Sequence, residues 1–545
     1  MMFLISVILQ DEELRDSRAM ASAQRFYQKC LTSDDEWKSK GGPITYVMQI
    51  IRGYGKFPLI DRTWDAESFD LTKLLAYFNK NKTITYSLVP QILANPYNVS
   101  HGLIRFSTSE GLMYNVAVGD NVLDHYLYID FLLKLAKQIC VDTMSQCEDD
   151  ALTEDIVELF FFSIKLEKIH IHGQKGGKYH RKFRHLHELI GSVNWTEYFL
   201  LISPSVVIPH IHPDLETITP SKDTLKVIEV LLQNTTRRVI TNYVMLMYAM
   251  SWVEHLDEKY RNIAEGYIKG IKSGPPLSAR EASCSLATWT NYNHVMMAMH
   301  ARQNHGREKK KIITVMVDEL IAAFVSVIKE NKWIEETDKQ AILLKIQKID
   351  RAIAYDEVEF LGANQLDVTF EDLVKIDVEK KSFLELMNVF YRKESEDRLR
   401  YLDPSKDFRE VVFKRKYEPR NIQNAFYAPL LNKINLLIGQ DLVSTIIDLI
   451  LQPPFGLILT PTVFGYTISG TGEAHLTNDT SSTCSPLIVA TPFVTSPRDY
   501  YKKDINHMYE LESLGLNFSN NSHEAAMIKL MNNYRKSMVI QNSPI

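Results

Sequence analysis

The sequence predicts a mainly α protein, and three observations carry that prediction. Apolar residues recur at helical spacing in Ile156, Phe160 and Ile164, and again in Val317, Ile321, Phe324 and Ile328. The stretch from Ser221 to about Leu256 is long, apolar and patterned as helix. Strand signals are short by comparison, as in Leu103 to Val118 and Ser205 to Pro209. Lys380 to Arg420 is charged and less patterned than the stretches before it.

Taken in order, residues 14–40 read as helical. Leu103 to Val118 alternates around a Ser/Gly turn and suits a hairpin. Thr153 is a good N-cap, with Glu154 and Asp155 at the positive end of the helix dipole behind it. His170, His172, His180, His185 and His187 lie among Gly, Lys and Arg, which points to an exposed loop rather than a metal site. His187-Glu188 and His523-Glu524 each open a zinc-helix pattern, but Gly191 and Met527 stand where the second His is required. Ser205 to Pro209 reads as a strand, followed by the pair His210 and His212. The helix carrying Val317 to Ile328 has Asp318 and Glu319 early and Lys329 late, in agreement with the helix dipole.

Composition narrows the function class. At 545 residues, with 45% hydrophobic and 24% charged residues, the chain has ordinary globular usage and length for about three to four domains. A net charge of -5 gives no reason to expect nucleic acid. The longest apolar run, Val244 to Val253, is far short of the roughly 20 residues that span a bilayer, so no transmembrane helix is expected. Met1 to Leu9 is apolar but lacks a basic leader and a cleavage site, and makes a poor signal peptide. Five cysteines leave at least one unpaired within the chain. Cys140 and Cys147 bracket a short polar segment, with a local disulfide and two free thiols both open. Acceptor patterns Asn-x-Ser/Thr occur at Asn81, Asn98, Asn194, Asn234, Asn478, Asn517 and Asn520.

The most informative stretch runs from Asn421 to His475. It opens Asn421-Ile-Gln-Asn-Ala-Phe-Tyr-Ala-Pro-Leu-Leu-Asn-Lys-Ile434, continues to Leu451-Gln-Pro-Pro-Phe455 and closes on Gly472-Glu-Ala-His475. Upstream, Gly53-Tyr-Gly-Lys-Phe-Pro58, Asn194-Trp-Thr-Glu-Tyr-Phe199, Arg280-x-x-x-Cys284 and Trp333-Ile-Glu-Glu-Thr337 appear in sequence. Together these segments resemble the neprilysin and endothelin-converting-enzyme family of zinc metalloendopeptidases, over roughly residues 14–475. In that family an Asn-Ala-Phe/Tyr-Tyr strand is followed by Gln-Pro-Pro-Phe and then by Gly-His-Glu-x-x-His on a helix.

The last signal is broken here. Two imidazoles reach one zinc when they stand four residues apart on a helix, with a Glu between them as general base. Gly472 runs directly into Glu473, and only Ala474 separates Glu473 from His475. Residues i and i+2 point to different sides of a helix. Glu473 is thus a remnant of the general base and His475 a remnant of the ligand pair. The family carries zinc; this chain is expected to bind none and to be inactive as a peptidase.

The resemblance implies a mainly α fold, with a large helical lobe, residues 1–400, followed by an incomplete, degenerate thermolysin-like (α+β) catalytic lobe, residues 401–545. It implies that Asn424 and Ala425 hold substrate backbone by strand addition. It implies disulfides Cys30–Cys284 and Cys140–Cys147, peptides or a protein as partner, and a plasma-membrane or extracellular location. Two other readings stay open. One is an active zinc metalloendopeptidase whose catalytic exon is misrepresented in this sequence, favoured by extra length between Ile434 and Leu451. The other is a non-enzymatic helical binding scaffold.

Overall fold

The computed structural model describes residues 2–82, 89–95, 98–107, 122–175, 179–270, 280–303, 306–353, 360–405, 424–428, 432–437, 457–462 and 465–470. The chain divides into two units, Met1–Leu437 and Ile438–Ile545.

The first unit is built around the helix Arg18–Leu31. Ser17 caps it, accepting from the Met20 amide, and Asp367 from a distant segment accepts from the Ser17 hydroxyl and the Arg18 and Ala19 amides. The orphan amides of its first turn are thereby satisfied. Its inward residues Ala19, Met20, Ala23, Phe26, Tyr27 and Cys30 are almost completely buried. The Phe26 ring lies 5.6 Å from Tyr292, 5.4 Å from Phe383 and 5.5 Å from Phe390, centroid to centroid. Burying one such side chain contributes roughly 1.5–3 kcal/mol. Phe26 therefore joins this helix to two others, Asn293–Gln303, just after Tyr292, and Phe383–Leu399.

The helix Arg237–Met250 is buried nearly all round, from Val239 to Met250 with the exception of half-buried Tyr243. An apolar helix without a polar stripe belongs at the centre of a helical body. Beside it, Asp155 on the helix Asp149–Lys175 is gripped by Arg62 at 2.7 Å and by Arg238 at 2.9 Å.

Two sheets belong to this unit. The first contains β1 (Val89–Asn95), β2 (Asn98–Ser107), β3 (Tyr179–Lys182) and β4 (Glu216–Thr219), in spatial order β1-β2-β4-β3. The β1–β2 pair is an antiparallel hairpin and β2 runs parallel to β4. Gly102 lets β2 pass against the turn at Tyr401, since a Cβ there would meet the Tyr401 carbonyl oxygen at 2.5 Å. The second sheet has the order β5-β7-β6, from β5 (Asp350–Ile353), β6 (Asn424–Ala428) and β7 (Lys433–Leu437). In the second unit, β8 (Leu457–Thr462) and β9 (Gly465–Gly470) form an antiparallel hairpin.

The mainly α expectation holds, and three local expectations are corrected. Thr153 is not an N-cap: the helix starts a turn earlier at Asp149, and the Thr153 hydroxyl donates back to the Asp149 carbonyl. Leu103 to Ser107 is strand, within β2, which pairs back onto β1; the rest of the expected hairpin, residues 108–118, lies outside the described residues. The His-rich stretch is not one loop, because the helix from Asp149 continues to Lys175 and β3 follows at Tyr179. Ser205 to Pro209 is a turn leading into a short 3-10 helix, Ile208–His210, with prolines at 204 and 209 that cannot donate to a ladder. The stretch after Ser221 is helical as expected, in two helices separated where Asn234 ends one and Thr236 caps the next.

Candidate functional site

The β6–β7 hairpin positions the two residues expected to hold substrate backbone. Asn424 pairs with Leu437 and Ala425 with Leu436, so both stand at the opening end of β6. Among the described residues β6 is an edge of its sheet, since β7 lies between it and β5. An edge strand presents backbone donors and acceptors to which an extended peptide can add.

The hairpin is anchored on its other side. Asn432 turns the chain with φ 48°, a left-handed conformation that Asn tolerates better than other side-chain-bearing residues. Its carbonyl accepts from the Asp350 amide at 2.9 Å, and its side chain donates to the Lys345 carbonyl at 3.0 Å. Arg351 on β5 forms an ion pair with Asp318 on the helix Gly306–Glu330. The strand pair is thus tied to the helix hairpin formed by Gly306–Glu330 and Glu336–Gln347.

Glu473, His475 and the Gln452-Pro-Pro-Phe455 segment lie outside the described residues. Among the described residues, no group of three or more His, Cys, Asp or Glu gathers as a metal site. Several histidines noted in the sequence contact other groups. His172 contacts the Lys168 carbonyl, His187 the Thr196 hydroxyl, and His210 lies 3.5 Å from Asp403.

Both expected disulfides are present. Cys30 bonds Cys284 with Cα atoms 5.6 Å apart, and Cys140 bonds Cys147 at 6.2 Å. The Arg-x-x-x-Cys spacing has a geometric reason. One helical turn separates Arg280 from Cys284, so the guanidinium reaches what the disulfide joins. It donates to the Cys30 carbonyl at 3.2 Å and the Leu256 carbonyl at 3.1 Å, and pairs with Asp34 at 3.0 Å and with the Ser33 hydroxyl. Burial pulls Arg280 below its ordinary value, with Asp34 acting against that.

Sequence reasoning missed a polar cluster in the helical body. The Lys82 ammonium lies 4.9 Å from the Trp252 ring and 4.2 Å from the Tyr391 ring, and donates to the Ser251 carbonyl at 2.5 Å. The Tyr391 hydroxyl is 3.0 Å from His255 Nε2. Burial pushes Lys82 down to about 7 and His255 down to about 3, the latter helped by the charges of Lys82, Arg280 and Arg261. The rings favour the charged lysine and burial opposes it. Lys82, Trp252, His255 and Tyr391 come from three separate segments, and no spacing in the sequence brings them together.

Comparisons with known proteins agree with this architecture. Residues 4–356 match the profile described as Peptidase family M13. Neprilysin-11 of Caenorhabditis elegans is 23% identical over 490 residues, covering 86% of this chain and 54% of that protein. Endothelin-converting enzyme 1 of Homo sapiens is 21% identical over 486 residues, covering 87% of this chain and 58% of that protein. The chain thus spans somewhat over half the length of these relatives. Among solved structures, PEPO from Lactobacillus rhamnosis superposes with a TM-score of 0.57 at 13% identity, over 80% of this chain and 63% of the other. The Mycobacterium tuberculosis zinc metalloprotease ZMP1 in complex with inhibitor gives 0.55 at 15% identity, over 83% of this chain and 64% of the other. At such identities these structures speak for the fold. Among the described residues no helix is long and apolar enough to cross a membrane. With the family profile covering most of the chain and the same helical body beneath it, this chain belongs to peptidase family M13.

Proposed function

We propose that this chain is a family member that binds peptides or a protein partner without hydrolysing them. The observation that carries the reading is the order Gly472-Glu473-Ala474-His475, which offers one imidazole where a catalytic zinc demands two from one helix. A single imidazole with one carboxylate two residues before it does not fit a tetrahedral metal site with three protein ligands. No step is therefore routed through a metal. The helical lobe, residues 1–400, is the body of the molecule, and the segment from 401 is the remnant of a catalytic lobe.

Recognition in this reading uses the edge of β6. Main-chain groups near Asn424 and Ala425 would take an extended peptide as an added strand, with affinity from backbone hydrogen bonds. The relatives named neprilysin and endothelin-converting enzyme suggest peptides as the ligand class. The two disulfides support an extracellular or membrane-surface setting, because such bonds persist in oxidising compartments.

Titrating the purified full chain with an extended peptide library, and following both binding and cleavage, tests this. Binding that weakens in Asn424→Pro, which removes a main-chain donor from β6, with the peptides recovered intact, is the expected result. Unchanged affinity in Asn424→Pro would favour a helical scaffold unrelated to peptides. A second reading, an active zinc peptidase misrepresented here, is favoured by the added length between Ile434 and Leu451. A transcript read confirming Gly472-Glu-Ala-His475 without interruption removes it.

A further inference from the structure

We infer that Asn98 and Asn234 carry N-linked oligosaccharides and that Asn81 does not. All three precede the acceptor hydroxyl, in Asn81-Lys-Thr83, Asn98-Val-Ser100 and Asn234-Thr-Thr236. The sequence alone ranks them equally. The structure separates them.

Asn98 opens β2 at the tip of the β1–β2 hairpin, where it pairs with Asn95, and its side chain is exposed. Its Oδ1 accepts from the Ser100 amide at 3.3 Å, a contact that does not use the nitrogen to be modified. Asn234 ends the helix Lys222–Gln233 in the turn before the next helix, and is exposed. Its Nδ2 donates to the Val230 carbonyl at 2.9 Å. A glycosylated amide keeps one N–H, so this bond survives modification. Asn81 is different. It is only 7% exposed, at the end of the helix Leu71–Asn81, directly before the Lys82 that lies against the Trp252 and Tyr391 rings. Its Nδ2 donates back to the Tyr77 carbonyl at 2.9 Å, and a side chain this buried leaves no room for a sugar. Asn194 is exposed but serves as the N-cap of the helix Trp195–Ile202, with its carboxamide on Glu197, and stands outside the inference.

The second, independent support is redox state. Two disulfides place folding in an oxidising compartment, which in eukaryotic cells is also where oligosaccharide transfer occurs. The donor class is a lipid-linked oligosaccharide pyrophosphate. The anomeric C–O bond to phosphate breaks and the lipid pyrophosphate leaves with the electron pair. A C–N bond to Nδ2 forms, and one amide proton passes to a base. No oxidant or reductant is needed.

The test is peptide mapping of the full chain after passage through a eukaryotic secretory pathway. Enzymatic deglycosylation in oxygen-18 water converts each glycan-bearing Asn to labelled Asp. Labelled peptides at Asn98 and Asn234, with an unlabelled one at Asn81, are the expected result. On a gel, Asn98→Gln and Asn234→Gln should each remove one glycan's worth of mobility shift, and Asn81→Gln none. Unlabelled Asn98 or Asn234 in secreted, disulfide-bonded chain overturns the inference. A glycan on Asn81 in folded chain, or free thiols at Cys30 and Cys284, does so as well. Mapping the unmodified chain keeps the test decisive if a variant fails to fold.

Discussion

Asp367 shows how much one side chain can hold. It accepts from the Ser17 hydroxyl at 2.6 Å, the Ala19 amide at 2.9 Å, the Arg18 amide at 3.1 Å and the Arg18 guanidinium at 3.2 Å. Asp367→Ala strands those donors at the start of the central helix and should cost about 2–3 kcal/mol, read as a lower urea midpoint. Burial alone would raise its carboxyl, but the hydrogen bonds outweigh it and hold the group below its ordinary value of 3.8. His255 acts in the same pH direction by another route. Its folded value, about 3, lies below the 6.5 of an ordinary histidine. The unfolded chain therefore takes up that proton first, so the stability is whole above pH 6.5 and drains away as pH falls toward 3. His255→Gln should flatten this part of the acid-denaturation profile, measured as urea midpoint against pH. Neither residue announced itself in the sequence. Each matters through partners more than a hundred positions away, and local pattern carries no record of such contacts.

At the scale of elements, the two disulfides should differ in what they contribute. Cys30–Cys284 closes a loop with a sequence separation of 254, Cys140–Cys147 one of 7. Loop-closure entropy grows with the logarithm of length, so the first should contribute about 3–5 kcal/mol and the second about 2 kcal/mol. Double Cys→Ser replacement of each pair, compared by thermal unfolding, checks the order. The helix Phe383–Leu399 begins with a capping box in which Ser382 and Glu385 satisfy each other's backbone amides. Ser382→Ala should lower stability by about 1 kcal/mol in the same assay. Much at this scale was legible. The stripe Ile156, Phe160 and Ile164 is buried on its helix, as periodicity predicts. The stripe from Val317 is only half right: Val317 and Ile328 are buried, but Phe324 faces outward. Periodicity finds a helix face without saying what covers it. The disulfide partners came from resemblance to a family, since five cysteines alone leave the pairing open.

For the whole molecule, the exposed apolar residues of the helix Gly306–Glu330 carry the next prediction. Val315, Leu320, Phe324 and Val327 are exposed there, and Trp333 beyond its end is 83% exposed. Large exposed apolar surface drives association. The full chain should elute increasingly early from a size-exclusion column as concentration rises, and Phe324→Glu should weaken that trend. A monomer at every concentration would contradict it. Fold class and family were legible because they rest on patterns spread along hundreds of residues. The candidate site was legible only in part, because β6 sits at a sheet edge by virtue of β5 and β7, and β5 is contributed from some seventy residues earlier.

The proposed loss of the metal grip in this M13 family member is open to direct measurement. Elemental analysis of purified full chain after incubation with zinc and removal of loosely bound ions, run beside a peptide-cleavage assay, tests it most directly. Zinc well below one per chain, with no cleavage that a chelator abolishes, is the expected outcome. One tightly held zinc per chain, with chelator-sensitive cleavage, would contradict it.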